Sequence, residues 1–485
     1  MDLLLAHGFF LSTDADEQQV MRPHPPLGLL YLSSHLKSRG VDVGVFDSTF
    51  RRLEDFDACL RRQRPAVVGI AANLMTKRNA LRMMAAARAA GARVIVGGPD
   101  PPHHAAEYLA SGADIVVIGE GEQTVEELLP ALLAGAPSRD RLQHIAGIAL
   151  SDGSGFITTA PRRLIPNLDG QPFPDRGAVD IDAYLAAWRG HHGFTPISLI
   201  TARGCPYTCT WCSRSVFGAT HRRRSPGNVA DEVEMIAARY RPDRLWYADD
   251  VFGMHRGWTL AYAAELQKRK LHLPFECISR AERIDDDIAD ALRDLGCWRV
   301  WIGSESGSQR ILDAMRRRVA LDQVTESAAR LRRRGIQVGM FIMLGYDGER
   351  VEDLRATVDH LKRTAPDVFL TTVSYPIKGT PYYDAVAGRI VASRPWVERT
   401  DRDLLIEGRP SRRYYDFARR WMTGEVARHQ YWQRGQYGLA ARAASGAMVG
   451  RVGMRLTQRP WSASAATHSR PSEVEPSLLH SEPGS

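Results

Sequence analysis

Three cysteines, Cys205, Cys209 and Cys212, lie within one short segment, RGCPYTCTWCSRS (203–215). The chain has only six cysteines among 485 residues, which is too few for a disulfide framework. Thiolates select zinc or iron–sulfur clusters, and the number of ligands and their context tell the two apart. The CxxxCxxC spacing therefore predicts a metal centre.

Two kinds of metal centre are compatible with this segment. A structural zinc ion needs four ligands, and the nearest fourth candidate is His221, nine residues after Cys212. Closed zinc sites usually pair their ligands as tight knuckles on small modules. A cubane iron–sulfur cluster held by three cysteines leaves one iron open to an exogenous ligand. We favour the cluster, because a catalytic role would need an iron with an open coordination position.

The segment follows the first of six short apolar runs that alternate with amphipathic stretches, the pattern of βα units. The predicted strands are 197–201, 244–248, 274–279, 298–303, 337–343 and 369–375. The predicted helices between them lie near 229–240, 257–270, 286–295, 321–334 and 351–364. Six units fall short of the eight that close a full barrel, so we predict a partial, open β/α barrel. Its site should lie at the carboxyl ends of the strands, where the cysteines are.

The N-terminal part shows the same alternation. Its predicted strands are 2–6, 41–46, 67–71, 93–97 and 114–118, and its helices include 28–39, 79–90 and 105–109. This pattern predicts a doubly wound, Rossmann-like α/β sheet, which binds ligands beyond the carboxyl ends of its strands. The candidate binding loops there are Gly97-Gly98-Pro99 and Gly119-Glu120-Gly121-Glu122. Ordinary turn chemistry explains these loops equally well.

We divide the chain into five parts. The doubly wound domain takes residues 1–135, and a connector with a hairpin around SDGSG and a Pro-rich passage takes 136–195. The partial barrel spans 196–395, and a helical C-terminal region spans 396–462. The Ser- and Pro-rich stretch 463–485 has little to bury, so we predict that it is disordered.

Composition indicates a folded protein, with 44% hydrophobic and 25% charged residues. The net charge is 64 minus 56, or +8, but the arginines are scattered along helical segments, so nucleic-acid binding is not indicated. The first residues lack the basic region and the cleavage site of a signal peptide, and no run of about 18 apolar residues occurs. These features predict a cytoplasmic protein without membrane association.

The cysteine segment and its place in the chain resemble the radical SAM superfamily. The shared features are the CxxxCxxC spacing, the aromatic Trp211 before the last cysteine, and the position after strand one of a six-unit barrel. The resemblance implies a 4Fe–4S cluster whose open iron chelates S-adenosylmethionine (SAM). Electron transfer from the cluster would cleave SAM to a 5′-deoxyadenosyl radical.

Further residues match the superfamily by position. Asp249 and Asp250 end strand two, where the superfamily contacts the methionine amino group of SAM. Arg280 follows strand three, where a cation would pair with the carboxylate of SAM. Glu305, in GSESGS, resembles the residue that accepts hydrogen bonds from SAM, and Gly345, in MLGYDGE, the glycine that lets the backbone approach adenine. Each has a structural alternative, such as a helix cap or a surface ion pair.

The first 135 residues resemble the cobalamin-binding domain that precedes the barrel in one radical SAM subgroup. The matching segments are PPLGLLYLSSHLKSRG, VVGIAANLMT, VIVGGPDPP and GADIVVIGEGEQTVEELL. The resemblance implies a cobalamin site at the two glycine loops. The DxHxxG motif that supplies an axial histidine to cobalt in many cobalamin proteins is missing. His7 and His24 lack that context, so we expect no protein histidine on cobalt.

The leading hypothesis is a cobalamin-dependent radical SAM methyltransferase acting on an unactivated carbon or a phosphorus of a small molecule. By resemblance, one SAM would methylate cobalamin and a second would yield the radical that removes a substrate hydrogen. An oxidative cyclase or ring-rearranging enzyme is the alternative, because it shares the cofactors and the fold. A third hypothesis is a non-catalytic cobalamin- or metal-binding regulator. An electron donor such as flavodoxin or ferredoxin is an expected partner.

Two structural expectations follow from these hypotheses. Radical chemistry needs protection from water and oxygen, so we expect a dry, apolar interface between the two domains. The aromatic-rich stretch from Tyr414 to Tyr437 is predicted to form a helical cap on the barrel mouth, with a substrate or membrane-surface role as the alternative. Cys59, Cys277 and Cys297 receive no role, although Cys277 could face the barrel interior.

Overall fold

The computed structural model describes residues 1–135, 139–153, 155–459 and 461, and it contains two large sheets. The first sheet consists of β1 (Leu3–His7), β2 (Val43–Phe46), β3 (Val67–Ala71), β4 (Arg93–Gly97), β5 (Ile115–Val117), β6 (Ile148–Ser151) and β7 (Phe156–Thr158). Their spatial order is β2-β1-β3-β4-β5-β6-β7. The strands β1 to β5 are parallel, and β6 and β7 are antiparallel. All five strands predicted for this domain are present.

Helices cover both faces of the first sheet. They are α1 (Ala15–Val20), α2 (Leu27–Lys37), α3 (Leu53–Gln63), α4 (Lys77–Ala89), α5 (Ala105–Ala110), α6 (Gly121–Leu133) and α7 (Arg139–Leu142). Alternate strand residues enter two cores: Leu4 packs in a cluster with Phe56 of α3, and Leu5 in a cluster with Leu128 of α6. Strands buried on both faces must be apolar throughout, which explains their continuous apolar runs. The predicted doubly wound fold is confirmed.

The connector contains more regular structure than its sequence suggests. The hairpin around SDGSG forms as β6 and β7, and β6 pairs with β5, so the hairpin extends the first sheet. A helix that the sequence analysis did not assign, α8, spans Ile181–His192. The side chain of Asp180 caps its first turn by accepting from the Ala183 amide, and Gly193 ends it in the left-handed conformation.

The second half of the chain contains β8 (Pro196–Leu199), β9 (Ala202–Arg203), β10 (Arg222–Arg223), β11 (Arg244–Tyr247), β12 (Phe275–Ser279), β13 (Cys297–Glu305), β14 (Gln337–Leu344) and β15 (Val368–Val373). Six of these strands form a parallel sheet of order β15-β14-β13-β12-β11-β8. The sheet has two free edges, β15 and β8, so the partial open barrel is confirmed. The strands β9 and β10 form a separate antiparallel ribbon.

Helices connect successive strands of the barrel. They are α9 (Pro226–Tyr240), α10 (Arg256–Lys268), α11 (Asp286–Asp294), α12 (Gln309–Ala314), α13 (Leu321–Arg333) and α14 (Val351–Thr364). Only the short α12 is absent from the predictions. The apolar faces of these helices and the outward strand residues share one core, which includes Val229, Leu292 and Met340.

Two long helices end the described chain. After α15 (Pro381–Val386) and a ribbon of β16 (Ile390–Val391) and β17 (Leu405–Ile406), the chain forms α16 (Arg412–Gln433) and α17 (Tyr437–Thr457). Small residues bring these two helices together: a Cβ on Gly450 would lie 2.5 Å from the Trp421 backbone nitrogen. None of the described helices is long and apolar enough to cross a membrane. The predicted disordered stretch, 463–485, lies outside the described residues.

Candidate functional site

The cysteine loop lies between the two strands of the β9–β10 ribbon, at the carboxyl end of β8. Cys209 is buried, whereas Cys205 and Cys212 are half-buried. Gly204 begins the loop with a φ of +87°, and a Cβ there would lie 2.3 Å from the Thr220 carbonyl oxygen. The two ends of the loop are therefore in close backbone contact, and only glycine fits at its start.

The three thiols lie close enough to affect one another's ionisation. Burial, followed by the charges of Cys209, Asp250 and Cys205, raises the pKa of Cys212 to about 12. Burial also raises the pKa of Cys205 and of Cys209. Thiols that resist ionisation bind metal only if the cation compensates for the burial of their charge. No three His, Cys, Asp or Glu side chains in the described part of the chain converge closely enough to hold a metal ion as they stand.

His221, the fourth ligand of the zinc hypothesis, does not join the cysteines. Its ring contacts that of His255, with the centroids 5.0 Å apart. Both ring nitrogens are buried without a hydrogen-bond partner, and burial followed by the charges of Arg223 and His255 lowers the pKa of His221 to about 4. The structure thus gives no support to a Cys3His zinc site among the described residues.

The middle of the cysteine loop is fixed to the barrel. The Thr210 amide donates to the Met315 carbonyl at 3.0 Å, and the Thr210 hydroxyl lies 2.7 Å from that of Tyr346. Trp211 packs in a cluster with Met343, while its indole N–H is buried without an acceptor. These contacts attach the loop to the carboxyl end of β14.

The two aspartates after β11 have different environments. Asp249 is buried and accepts hydrogen bonds from the Thr201 and Ala202 amides at 2.6 and 3.1 Å and from Arg223 at 3.0 Å. Its carboxylate is therefore occupied in holding the end of β8. Asp250 is accessible to solvent, yet desolvation and the charge of Asp249 raise its pKa. Of the two, Asp250 is the one available to a ligand.

Arg280 and Glu305 lie beside the cysteine loop. Arg280 is 2% exposed, its Nη1 lies 3.8 Å from the Cys209 sulfur, and its guanidinium stacks 3.6 Å above the Tyr207 ring. Glu305 is buried in the left-handed conformation with a φ of +62°, at a register shift between β13 and β14. Burial raises the pKa of Glu305 to about 8, against the opposing charge of Arg280. Strained, desolvated carboxylates of this kind mark candidate binding sites.

Gly345 contacts a residue that the sequence analysis did not connect with it. Its φ is +72°, and a Cβ there would lie 2.7 Å from Cζ of Tyr415 in α16. The protein itself therefore supplies a reason for glycine at this position. The predicted cap of aromatic helix on the barrel touches the barrel here, at the carboxyl end of β14.

The first glycine loop of the N-terminal sheet contacts both its own domain and the cysteine loop. A Cβ on Gly98 would lie 2.5 Å from the Ala72 carbonyl, so packing within the domain requires glycine. The Pro99 carbonyl accepts a hydrogen bond from the Ser215 hydroxyl at 2.8 Å, and the Gly97 carbonyl accepts from the Ala72 amide. Ser215 belongs to the cysteine segment, so the two predicted cofactor loops meet.

The second glycine loop forms the main connection between the domains. Gly119 has a φ of +82°, and Gly121 begins α6. Between them, Glu120 accepts hydrogen bonds from Arg203 at 2.8 Å and from Arg222 at 2.8 and 2.9 Å. All three side chains are at most 12% exposed. The Glu120 carboxylate, predicted to face a cofactor, is thus engaged by protein.

Several residues of this connection were not identified from the sequence. Arg203 also binds Glu122 at 2.7 Å, and Arg223 binds Asp249. Two features of the sequence could have predicted these ion pairs. They are the run HRRR after the cysteine loop and the two glutamates of GEGE, which carry opposite charges. The prediction of an apolar interface is therefore wrong, because buried ion pairs hold the domains together, whereas the dryness of the interface stays a prediction.

The opposite side of the domain interface is also polar. Lys378, after β15, binds Glu107 of α5 at 3.1 Å, and the buried Lys77 ammonium lies 4.3 Å from the Trp396 ring centroid. Two buried ring nitrogens beside the loop after β4, His103 Nε2 and Trp396 Nε1, have no hydrogen-bond partner among the described residues. Such groups are costly unless a ligand or water satisfies them.

The remaining candidates take structural positions. His7 binds Asp47 at 3.0 Å. His24 packs against the rings of Trp188 and Trp246, and burial lowers its pKa to about 4. The three other cysteines belong to the hydrophobic cores, including the one considered for the barrel interior: Cys59, Cys277 and Cys297.

Comparison with known proteins identifies both domains. Residues 199–361 match the family model described as the radical SAM superfamily, and residues 19–129 match the B12 binding domain. The chain contains a radical SAM domain and a B12-binding domain. Both matched ranges lie within the corresponding predicted domains, 196–395 and 1–135.

Several known proteins are similar to this chain over most of its length. An uncharacterized methyltransferase of Pyrococcus horikoshii is 28% identical over 392 residues, covering 79% of this chain and 83% of the relative. The anaerobic magnesium-protoporphyrin IX monomethyl ester cyclase of Rubrivivax gelatinosus is 27% identical, covering 71% and 63%. The solved radical SAM methyltransferase TsrM of Kitasatospora setae superposes with a TM-score of 0.66 at 21% identity, covering 81% and 76%.

The domains imply three cofactors, and the residues present fit them. The radical SAM domain implies a 4Fe–4S cluster and SAM, and the B12-binding domain implies cobalamin. The three thiols in one loop are the ligands that a three-cysteine cluster would use. The buried Glu305 carboxyl beside them is a group that could bind the amino group of SAM. The partnerless ring nitrogens of His103 and Trp396 suit the amide groups at the rim of a corrin, which both donate and accept hydrogen bonds.

A glycine comparison tests the Tyr415 contact. Replacement of Gly345 by alanine adds backbone strain and a ring clash, whereas Gly348→Ala adds only strain, because its nearest atom is 3.9 Å from the added Cβ. We expect Gly348→Ala to cost about 1–2 kcal/mol in urea unfolding, and Gly345→Ala to cost about 1–3 kcal/mol more. Equal costs would contradict the tight packing of Tyr415 on β14.

The Glu120 ion pairs give a second prediction. Glu120→Gln leaves the buried Arg222 guanidinium without a carboxylate and Arg203 with Glu122 alone, which should cost about 3–5 kcal/mol of unfolding free energy. Glu127→Gln is the matched control, because Glu127 pairs with Arg162 from a half-exposed position and should cost under about 1 kcal/mol. A similar, small effect of both variants on thermal unfolding would rule out the proposed role of Glu120 as the main connection.

Proposed function

We propose that this protein is a cobalamin-dependent radical SAM methyltransferase that methylates an unactivated carbon or a phosphorus of a small molecule. The proposal rests on one observation: the cysteine loop and a glycine loop of the B12-binding domain are attached to each other. Arg203 and Arg222 border the cysteine loop, and both bind Glu120 in a glycine loop of the B12-binding domain. Two cofactors can act on one substrate only if they are held in a fixed geometry, and this anchoring supports such a geometry.

The barrel residues would hold the cluster and SAM. Cys205, Cys209 and Cys212 would bind the cluster, and the charge of Arg280 beside Cys209 would offset part of the rise that burial causes in the pKa of that thiol. When bound, the cluster and SAM supply a radical that removes an unactivated hydrogen, and cobalamin supplies the methyl group. Glu305 and Asp250 would accept hydrogen bonds from the amino group of SAM, since both carboxylates lie near the cysteines, Glu305 in a buried position and Asp250 in one that solvent and ligands can reach.

Several residues that the sequence analysis assigned to cofactor binding have a different role in the proposed function. Asp249 and Glu120 would position the cysteine loop rather than touch a cofactor, because protein donors already occupy their carboxylates. Arg280 donates hydrogen bonds to the Arg317 carbonyl and to Glu282. Only the remaining part of its guanidinium, which faces Cys209, would be available to SAM. Gly345 would let the backbone approach adenine if Tyr415 moves aside.

The B12-binding domain would hold cobalamin at its two glycine loops. Gly97, Gly98 and Pro99 on one loop and Gly119 and Gly121 on the other form the carboxyl edge of the first sheet, where doubly wound sheets bind ligands. The cysteine segment already contacts this edge through Ser215. The proposal keeps the predicted limits of the five parts of the chain.

A second candidate function is an oxidative cyclase or ring-rearranging enzyme with the same cofactors. The observation that favours it is the similarity to the Rubrivivax gelatinosus cyclase. The named relatives are enzymes, which disfavours a non-catalytic regulator. For either reaction, we propose a small-molecule substrate, an electron donor such as flavodoxin or ferredoxin, and a cytoplasmic location.

A reconstitution experiment separates these functions. The protein would be loaded with iron, sulfide and hydroxocobalamin without oxygen, then incubated with reductant and SAM. Methyl transfer to cobalamin should release S-adenosylhomocysteine, and radical formation should release 5′-deoxyadenosine; mass spectrometry measures both. Both products support the methyltransferase, and deoxyadenosine alone from cobalamin-loaded protein supports the cyclase. Zinc in place of iron, with neither product, would exclude both functions.

Replacement of one cysteine gives a sharper form of this test. Cys209→Ser should remove the visible absorbance of the cluster and all 5′-deoxyadenosine, because two thiolates cannot hold a cubane. Cys59→Ser, in a buried position on α3, is the matched control and should keep both. Retention of cluster absorbance in the Cys209 variant would show that the cysteine loop is not the cluster site.

The raised pKa of Glu305 predicts a pH effect on stability. A carboxyl with a folded pKa of about 8 stays protonated near neutrality, so its contribution to stability is present at low pH and is lost as the pH rises toward 8. In urea unfolding of the apoprotein, Glu305→Gln should reduce this loss between pH 5.5 and pH 8.5 by roughly 2–4 kcal/mol. Glu326→Gln, at an exposed position, should leave the pH profile unchanged. Parallel profiles for all three proteins would refute the desolvation of Glu305.

A further inference from the structure

The second half of the C-terminal helical hairpin, from the end of α16 through α17, is basic and has no acidic residues. From Val426 to Trp461 the chain contains six arginines and no aspartate or glutamate. One of them, Arg428, pairs with Glu425 of α16. The other five form no ion pair with any residue that the structure describes: Arg434, Arg442, Arg451, Arg455 and Arg459.

The same surface exposes large apolar side chains. Met448, Val452 and Leu456 follow at four-residue spacing along α17, and they are 70%, 49% and 79% exposed. Residues four apart lie on one side of a helix, so these side chains form a continuous row. At the tip of the hairpin, Trp432 and Tyr437 are 62% and 61% exposed, and their ring centroids are 5.0 Å apart. An apolar row of this kind on a water-soluble surface marks an interaction site.

The opposite side of α17 cannot bury these residues, because it is already packed. Gly450 and Gly453 lie so close to α16 that an added Cβ would meet the Trp421 backbone and the Phe417 ring. Ala440, Ala447 and Met454 are buried on that side too. The apolar row and the arginines therefore point outward from a fixed helix.

We propose that this surface binds the face of a bilayer that contains anionic phospholipids, with α17 lying parallel to the membrane. The apolar row would enter the boundary between headgroups and acyl chains, and the arginines would reach the phosphates from its flanks. Trp432 and Tyr437 are residue types that favour this boundary. The sequence analysis kept a membrane-surface role for the stretch from Tyr414 to Tyr437 as an alternative to a helical cap, and a peripheral helix needs no spanning segment.

The positive charge and the apolar row of this surface together favour an anionic bilayer over other binding partners. A second copy of the chain would bring the same unpaired arginines against each other. A nucleic acid would neutralise the arginines but leave Met448 and Leu456 without an apolar partner. An anionic bilayer satisfies both features. The inference is independent of the reaction that the barrel performs.

Vesicle co-sedimentation of the full-length protein tests the proposal. We expect binding to vesicles of phosphatidylglycerol and phosphatidylcholine, weak binding to phosphatidylcholine alone, and release at high salt. Arg451→Gln with Arg455→Gln should weaken binding roughly 30-fold, and Met448→Glu with Leu456→Glu at least about tenfold. Phe156→Glu, at an exposed apolar position on β7, is the matched control and should bind like the unchanged protein.

Each other outcome counts against the proposal. Absence of binding, equal binding to neutral vesicles, or equal loss in the Phe156 variant would overturn it. So would a preference for a nucleic acid over vesicles, or a dimer in size-exclusion chromatography that the Met448 and Leu456 changes dissociate. Far-UV circular dichroism and thermal unfolding of every variant show whether α16 and α17 remain folded. Release of 5′-deoxyadenosine without vesicles should be the same in all variants.

Discussion

Glu120 accepts hydrogen bonds from arginines at both ends of the cysteine loop, while its own backbone belongs to the loop after β5. A buried carboxylate and two buried guanidinium groups are each expensive to desolvate, and their mutual contacts offset that cost only in one geometry. Separating the domains would leave all three charges unpaired. The relative position of the two sheets, and with it the meeting of their carboxyl edges, follows from this requirement.

The rest of the cysteine loop is fixed by contacts of other kinds. Gly204 allows its ends to meet, Asp249 holds the end of β8, and Thr210 joins its middle to Met315 and Tyr346. The thiols are thereby carried by a backbone that is attached on three sides. A loop restrained in this way needs little rearrangement when it takes up a ligand, which favours binding and fixes orientation.

The sequence predicted the two sheets well because each strand is buried on both faces or follows a regular βα alternation. It also located the three cysteines, since their spacing is local. It could not show that Asp249 and Glu120 are occupied by protein donors, because their partners, Arg223 and Arg203, are distant in the chain or hidden within an Arg run. For the same reason the interface was predicted to be apolar. The contact between Gly345 and Tyr415 joins positions 70 residues apart, so no local sequence pattern could predict it.

The buried charges between the domains also restrict how such proteins can be recombined. A chimera that takes the N-terminal domain from one protein and the barrel from another brings together acids and arginines that did not evolve as partners. Unless the positions of Glu120 and Glu122 are exchanged together with those of Arg203 and Arg222, the junction would contain unmatched charge. The unit that can be transplanted is therefore the pair of domains with their shared arginines, and not either domain alone.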